Sequence, residues 1–148
     1  MKTLLAALAF GFAVAASSQD AQLLQRLEPI EHRSIVCGCT FNVVGEGGGF
    51  YSGPELLVLD PNGEPPNARV NIGEGNLLLR PAQPIAFPLY QCEIGETWTS
   101  KWLSEVITVT ARLNALEAGA ESCWFEGTVE TTVSDRSEVV PANGACGC

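Results

Sequence analysis

The amino-acid sequence predicts an all-β fold, a disulfide-stapled antiparallel β-sandwich or small barrel whose first and last strands are adjacent. Three observations lead to this prediction. Apolar and polar residues alternate over most of the chain, which is the pattern of half-buried strands. Gly, Pro, Asn and Asp separate the alternating runs at intervals of about 8–12 residues, as in all-β domains. Six cysteines follow a start typical of exported proteins, and an even cysteine count in an exported chain favours a disulfide framework.

The first 18 residues have the features of a secretory signal peptide. Lys2 supplies a positive charge, an apolar run extends from Leu4 to Val14, and small residues continue to Ser18. The run is shorter than a transmembrane helix, which needs about 20 apolar residues. We therefore predict that residues 1–18 are cleaved and that the mature protein is periplasmic or secreted, without a membrane span.

The mature chain is predicted to have an N-terminal leader at residues 19–33 and a single β domain at residues 34–148. About 130 mature residues are enough for one hydrophobic core of ordinary size but not for two. Within the leader, Asp20 could cap a short helix that Pro29 ends, or the leader could lack regular structure. His32 is the one histidine of the chain and is expected to be a solvated leader residue.

The strands follow in chain order from the alternation and the turn residues. The first strand begins at Ser34, and its apolar face comprises Ile35, Cys37, Cys39, Phe41 and Val43. A hairpin is expected around residues 60–66. Three prolines in residues 76–92 predict a segment at a sheet edge or crossing between sheets. Residues 106–133 predict a second hairpin, and a last strand then reaches Cys148.

The first hairpin carries a recognisable turn sequence. Asp60, Gly63, Pro65, Ala68 and Val70 match the pattern D-x-x-G-x-P-x-x-A-x-V. This segment resembles the turn found in transthyretin-like and other immunoglobulin-like sandwich domains. The resemblance is confined to residues 60–70; it implies a sandwich and no activity.

The cysteines are predicted to form three structural disulfides; they are Cys37, Cys39, Cys92, Cys123, Cys146 and Cys148. Residues two apart in a strand point to the same face. If the first and last strands are antiparallel neighbours, Cys37 therefore meets Cys148 and Cys39 meets Cys146. Cys92 and Cys123 then join each other. Parallel strands would reverse the first two pairings.

A metal site is the alternative use of the two Cys-Gly-Cys motifs. Four thiolates from Cys37, Cys39, Cys146 and Cys148 would suit Cu(I) or Zn. Cysteine-based zinc sites more often use Cys-x2-Cys spacing, however, and no Met- or His-rich stretch accompanies these residues. A third use, thiol–disulfide exchange, lacks a flanking Lys or His to lower a thiol pKa. We expect no cofactor, with copper or zinc as the alternative.

The net negative charge of the chain argues against some classes of binding partner and favours others. Seventeen Asp and Glu residues against eight Lys and Arg residues give a formal net charge of −9. Nucleic acid is bound chiefly by Lys and Arg at its phosphates, so we expect no nucleic-acid partner. A basic protein is the natural electrostatic partner of such a surface.

Three tryptophans are the candidate binding residues. Trp98 and Trp102 are four residues apart and share one face of a strand. With Trp124 they could form an aromatic platform for a sugar or a protein, or they could pack in the core.

The sequence predicts no enzyme and no catalytic residue. It contains no H-E-x-x-H, G-x-S-x-G or P-loop pattern, and a histidine-dependent triad would have to use His32. We expect a non-catalytic exported binding or structural module, such as a protein-binding inhibitor in the cell envelope. The alternative is a copper- or zinc-binding periplasmic protein.

Overall fold

Eight antiparallel strands, joined in chain order, close into a barrel in the computed structural model of the chain. The structure describes residues 22–28, 37–44, 53–60, 63–84 and 91–147, and these ranges contain no helix, so none that could span a membrane. The strands are β1 (Gly38–Val43), β2 (Glu55–Asp60), β3 (Asn67–Asn71), β4 (Asn76–Pro81), β5 (Thr97–Leu103), β6 (Ile107–Ala118), β7 (Ser122–Val133) and β8 (Arg136–Gly147).

Pairing between β1 and β8 closes the barrel. The two strands are antiparallel, with a register that runs from Gly38 opposite Gly147 to Val43 opposite Ala142. The predicted adjacency of the first and last strands is therefore confirmed, and of the two predicted architectures the chain adopts the barrel. Closure gives every strand two neighbours, although β4 and β5 pair at only two positions. Of the segment predicted to lie at a sheet edge or to cross between sheets, residues 76–81 form β4, which pairs with β3 at four positions and with β5 only at Arg80 and Pro81.

The barrel interior is filled by apolar side chains, which alternate with more exposed residues most regularly in β6, whereas four consecutive residues of β2, Leu56 to Leu59, are buried. In β6, Ile107, Val109, Ala111, Leu113 and Ala115 are buried, while the intervening residues are more exposed. The largest fully buried side chains are Trp102, Phe41 and Phe125. An eight-stranded barrel is just wide enough for side chains to fill it. The period-two pattern therefore produces one continuous core.

Residues 22–28 of the predicted leader close one end of the barrel. Leu24 is 0% exposed and Leu27 is 5% exposed, and Leu24 belongs to the core cluster. Three backbone N–H groups tie the segment down: Leu23 donates to the Glu138 carboxylate at 2.8 Å, Gln25 to the Asn71 carbonyl at 2.7 Å and Leu27 to the Glu55 carbonyl at 2.9 Å. We call this the leader end of the barrel, where β2 starts and β3 ends.

Of the two options for the leader, the helix is wrong for residues 22–28, which have little regular structure. These residues are non-helical, and Gln25 forms an antiparallel β-bridge with Asn71. The bridge and the burial of Leu24 hold the segment across the end of the barrel. In a helix, the N–H groups of Gln25 and Leu27 would bond within the helix and not to the barrel strands. The signal peptide, Asp20 and His32 lie outside the described residues.

Two disulfides lie at the opposite end, which we call the disulfide end. Cys39 and Cys146 are bonded and stand directly opposite each other on β1 and β8, with their Cα atoms 4.0 Å apart. Cys92 is bonded to Cys123, and both predicted pairings are confirmed. Cys37 is also disulfide-bonded, whereas its predicted partner, Cys148, lies outside the described residues. These bonds are consistent with an oxidising compartment.

Candidate functional site

The three tryptophans do not form one platform. Trp98 and Trp102 both point inward from β5. Trp102 is fully buried and donates its Nε1–H to the Ser100 hydroxyl at 2.9 Å. Trp98 is half-buried, with its ring centroid 6.3 Å from that of Phe125. Trp124 has the opposite parity on β7, where it is partly exposed on the outer surface.

The two described disulfides bear directly on the metal alternative. Cys39 and Cys146 are bonded to each other and are almost completely buried. A disulfide sulfur offers no thiolate, so a copper or zinc site built on these residues requires reduction of that bond first. Within the described ranges, no group of three or more His, Cys, Asp or Glu side chains is placed to hold a metal ion.

A rigid turn at the disulfide end presents an exposed isoleucine. The N–H of Glu96 donates to the Glu93 carbonyl at 2.9 Å, and Gly95 has a φ of 85°. A positive φ at the third residue defines a type II turn and favours glycine there. Ile94 is the second residue of the turn and is 74% exposed, more than any other large apolar side chain in the described ranges.

Three connections fix this turn to the barrel. The Cys92–Cys123 disulfide joins its N-terminal flank to the start of β7. Gly95 donates its N–H to the Ala115 carbonyl at 2.8 Å, and the N–H of Ala115 donates to the Glu96 carbonyl at 2.9 Å. The turn is therefore a continuation of the β5–β6 ladder, and Ile94 is held in place in the free protein.

The surroundings of Ile94 are strongly acidic. Residues 91–99 and 114–126 contain no Lys or Arg, and their five carboxylates belong to Glu93, Glu96, Glu117, Glu121 and Glu126. Ala115 bonds to the turn, and Glu117 lies two residues further along β6, opposite Trp124. Leu116, between them, is 39% exposed. We call residues 91–96 together with 116–126 the acidic tip.

Sequence reasoning identified three residues of the acidic tip, Cys92, Cys123 and Trp124, and missed Ile94. The sequence signal at the turn is Gly95, which permits a positive φ between two glutamates. Nothing in the sequence shows that the isoleucine before this glycine points into solvent.

No protein-family model, curated protein or solved structure matches this chain.

Proposed function

We propose that the protein is a non-catalytic exported binding module that attaches to a basic protein through the acidic tip. The observation that carries this proposal is the 74% exposure of Ile94 on a turn anchored by a disulfide. An isolated apolar residue is common on protein surfaces, but this one is held in a hydrogen-bonded turn that begins at Glu93 and ends at Glu96.

The geometry favours binding in two ways. Full burial of an isoleucine side chain in a partner contributes about 1.5–3 kcal/mol. Because Gly95 and the hydrogen bonds to Ala115 already fix the turn, little conformational freedom is lost on binding. The complex therefore keeps most of that contribution.

The negative charge of the acidic tip supports a partner with a basic surface. Five glutamates, in two segments that contain no Lys or Arg, attract a basic surface over a distance of about 8–10 Å at moderate salt. The complementary site is an apolar depression bordered by Lys or Arg. Basic hydrolases that degrade cell walls offer such surfaces, and a protein that covers their cleft would act as an inhibitor. The disulfides fit an oxidising compartment, and the predicted signal peptide supports a periplasmic or secreted location.

Calorimetric titration of the oxidised mature protein tests the proposal, with a basic lysozyme and a panel of purified basic cell-wall hydrolases as probes. We expect saturable binding to at least one probe, weakened by added salt. Ile94→Asp should weaken that binding at least tenfold, since it removes the apolar anchor. Val139→Asp, on the exposed outer face of β8, is the matched control and should leave the affinity unchanged.

A second pair of variants separates the tip from general charge. Glu93→Lys combined with Glu96→Lys should slow association and weaken binding. Glu105→Lys combined with Asp135→Lys changes the net charge equally, but lies in the exposed turns of the leader end. Equal effects of both pairs would contradict the proposed site. The absence of saturable binding to every probe would contradict the proposed function.

A further inference from the structure

A groove of about 390 Å³ opens where β4 and β5 separate. Its lining residues differ from those of the Ile94 turn; they are Ala82, Gln83, Pro84, Trp98, Thr99, Ser100 and Lys101. Small-molecule sites commonly have volumes of about 300–1,000 Å³ and occur at the mouths of β-barrels. The groove is therefore large enough for one small molecule.

The groove exists because β4 and β5 pair over a short length. Their register pairs only Arg80 with Leu103 and Pro81 with Trp102, and the N–H of Ala82 donates to the Lys101 carbonyl at 2.8 Å. In contrast, β5 pairs with β6 along all seven of its residues. In the described part of the chain, the first half of β5 is thus paired on one side only.

The inner wall of the groove is apolar, and its outer end carries a cation. Trp98 and Ser100 face the barrel interior, while Thr99 and Lys101 face outward. Trp98 and Pro84 provide the apolar wall. The Ser100 hydroxyl accepts the Trp102 N–H, so this lining residue also contributes to the buried core. Lys101 is the cation at the outer end.

The outer surface beside the groove is basic although the chain carries a net charge of −9. Strands β3, β4 and β5 contain Arg69, Arg80 and Lys101 and no Asp or Glu. Their outward positions also include two exposed leucines, Leu78 and Leu103. We call this surface the basic face. Its cations produce a positive potential at the outer end of the groove.

We propose that this groove binds one small anionic amphiphile, a molecule with a single carboxylate on an apolar body, such as a single-chain fatty acid. The apolar body lies against Trp98 and Pro84, and the carboxylate pairs with the Lys101 ammonium. A hydrogen bond to a charged group is stronger than one between neutral groups, so the carboxylate fixes the orientation of the ligand. This site is independent of the proposed protein partner.

An anionic membrane surface is the less suitable source of such a ligand. Electrostatic attachment to lipid headgroups typically uses a cluster of about 4–8 Lys or Arg residues. The basic face has three cations, and the remaining surface is acidic. The groove also encloses space for a single molecule and not an extended surface.

The proposal is tested with 11-(dansylamino)undecanoic acid as a fluorescent probe at pH 7.5. We expect saturable binding with a blue-shifted dansyl emission and displacement by dodecanoate. The methyl ester of the probe should bind at least tenfold more weakly, since it lacks the charge. Lys101→Gln should also weaken the acid at least tenfold, whereas Arg26→Gln, at the leader end, should not.

A blocking variant keeps the test independent of charge. Thr99 is exposed and lines the groove, so Thr99→Trp should fill it and abolish probe binding while urea unfolding remains close to that of the wild type. Equal affinity for acid and ester, unchanged affinity in Lys101→Gln or Thr99→Trp, or an absence of saturable binding would each overturn the proposal. Flotation with anionic phosphatidylglycerol vesicles, without binding of the free probe, would overturn it in favour of a membrane surface.

Discussion

Removal of the Cys39–Cys146 disulfide should cost far less stability than its loop length suggests. The bond joins residues 107 apart, and closing a loop of that size contributes about 4.8 kcal/mol at 25 °C in the chain-entropy model. Cys37 is also disulfide-bonded, and its predicted bond to Cys148 closes almost the same loop. The loop therefore stays closed in a Cys39→Ala/Cys146→Ala variant. The expected cost is the lost contacts of two buried sulfurs, about 1–2 kcal/mol.

The Cys92–Cys123 bond should behave in the opposite way. Its residues are 31 apart, for which the same model gives about 3.7 kcal/mol. No other disulfide among the described residues closes this loop. Replacement of both cysteines by alanine should therefore cost about 3–5 kcal/mol, once the lost burial of Cys123 is included. The shorter loop is expected to contribute more than the longer one.

Urea unfolding under oxidising conditions measures both costs, with intact mass confirming that the remaining bonds are formed. The midpoint should fall modestly for Cys39→Ala/Cys146→Ala and strongly for Cys92→Ala/Cys123→Ala. Further replacement of Cys37 and its predicted partner in the first variant should remove about another 4–5 kcal/mol. A cost above about 4 kcal/mol for Cys39→Ala/Cys146→Ala alone would refute the duplicated loop.

Three further substitutions test the core, a buried hydrogen bond and the surface. Leu24→Ala should lower the free energy of unfolding by about 2–5 kcal/mol, because this fully buried side chain closes the leader end of the barrel. Ser100→Ala should cost about 1–3 kcal/mol, since it removes the hydroxyl that accepts the buried Trp102 N–H. Arg112→Ala should cost less than about 1 kcal/mol, because its ion pair with Glu130 is solvent-accessible. Urea unfolding measures all three.

Exposed neighbours provide the controls for these substitutions. Gln22→Ala and Thr99→Ala remove exposed side chains beside Leu24 and Ser100, and each should change stability by less than about 0.5 kcal/mol. If Leu24→Ala also changed stability by less than about 0.5 kcal/mol, the leader segment would contribute nothing to the core. A cost above about 2 kcal/mol for Arg112→Ala would contradict the surface character of its ion pair.

The strands and the covalent framework were predictable because both depend on local side-chain parity. Alternation placed Cys39 and Phe41 on one face, and the structure buries both. The antiparallel option then required Cys39 to meet Cys146, which is the observed register. Trp124 follows the same rule, since its neighbours Cys123 and Phe125 point inward and leave it outside.

Features that depend on distant parts of the chain were not predictable in this way. A sandwich and a barrel have the same alternation, and the unbroken pairing of all eight strands, including the short pairing of β4 with β5, decides between them. Leu24 and Leu27 have helical spacing, yet they are buried because the segment crosses the barrel end. Ile94 looks like any apolar residue of a strand, and only the type II turn exposes it.

The Cys39–Cys146 bond has a local role when the disulfide end is considered as one unit. Cys146 stands opposite Cys39 on one side and opposite Cys123 on the other. The two described disulfides therefore join β1, β8, β7 and the turn that carries Ile94. A bond that adds little to global stability can still prevent local opening, because opening of a strand end is a separate and less costly event than unfolding.

This coupling predicts a local effect that global unfolding does not detect. In Cys39→Ala/Cys146→Ala, the β8 end loses its direct bond to β1, and β7, which anchors the turn through Cys123, loses a fixed neighbour. We expect faster hydrogen exchange at the amides of Gly95 and Ala115, whose hydrogen bonds hold the turn. The exchange rates of amides elsewhere in the barrel should change little. The amide of Leu27, hydrogen-bonded at the leader end, is the internal control. Equal acceleration at Leu27 and Ala115 would mean that the bond acts on the whole barrel, and unchanged exchange at both would mean that it does not brace the acidic tip.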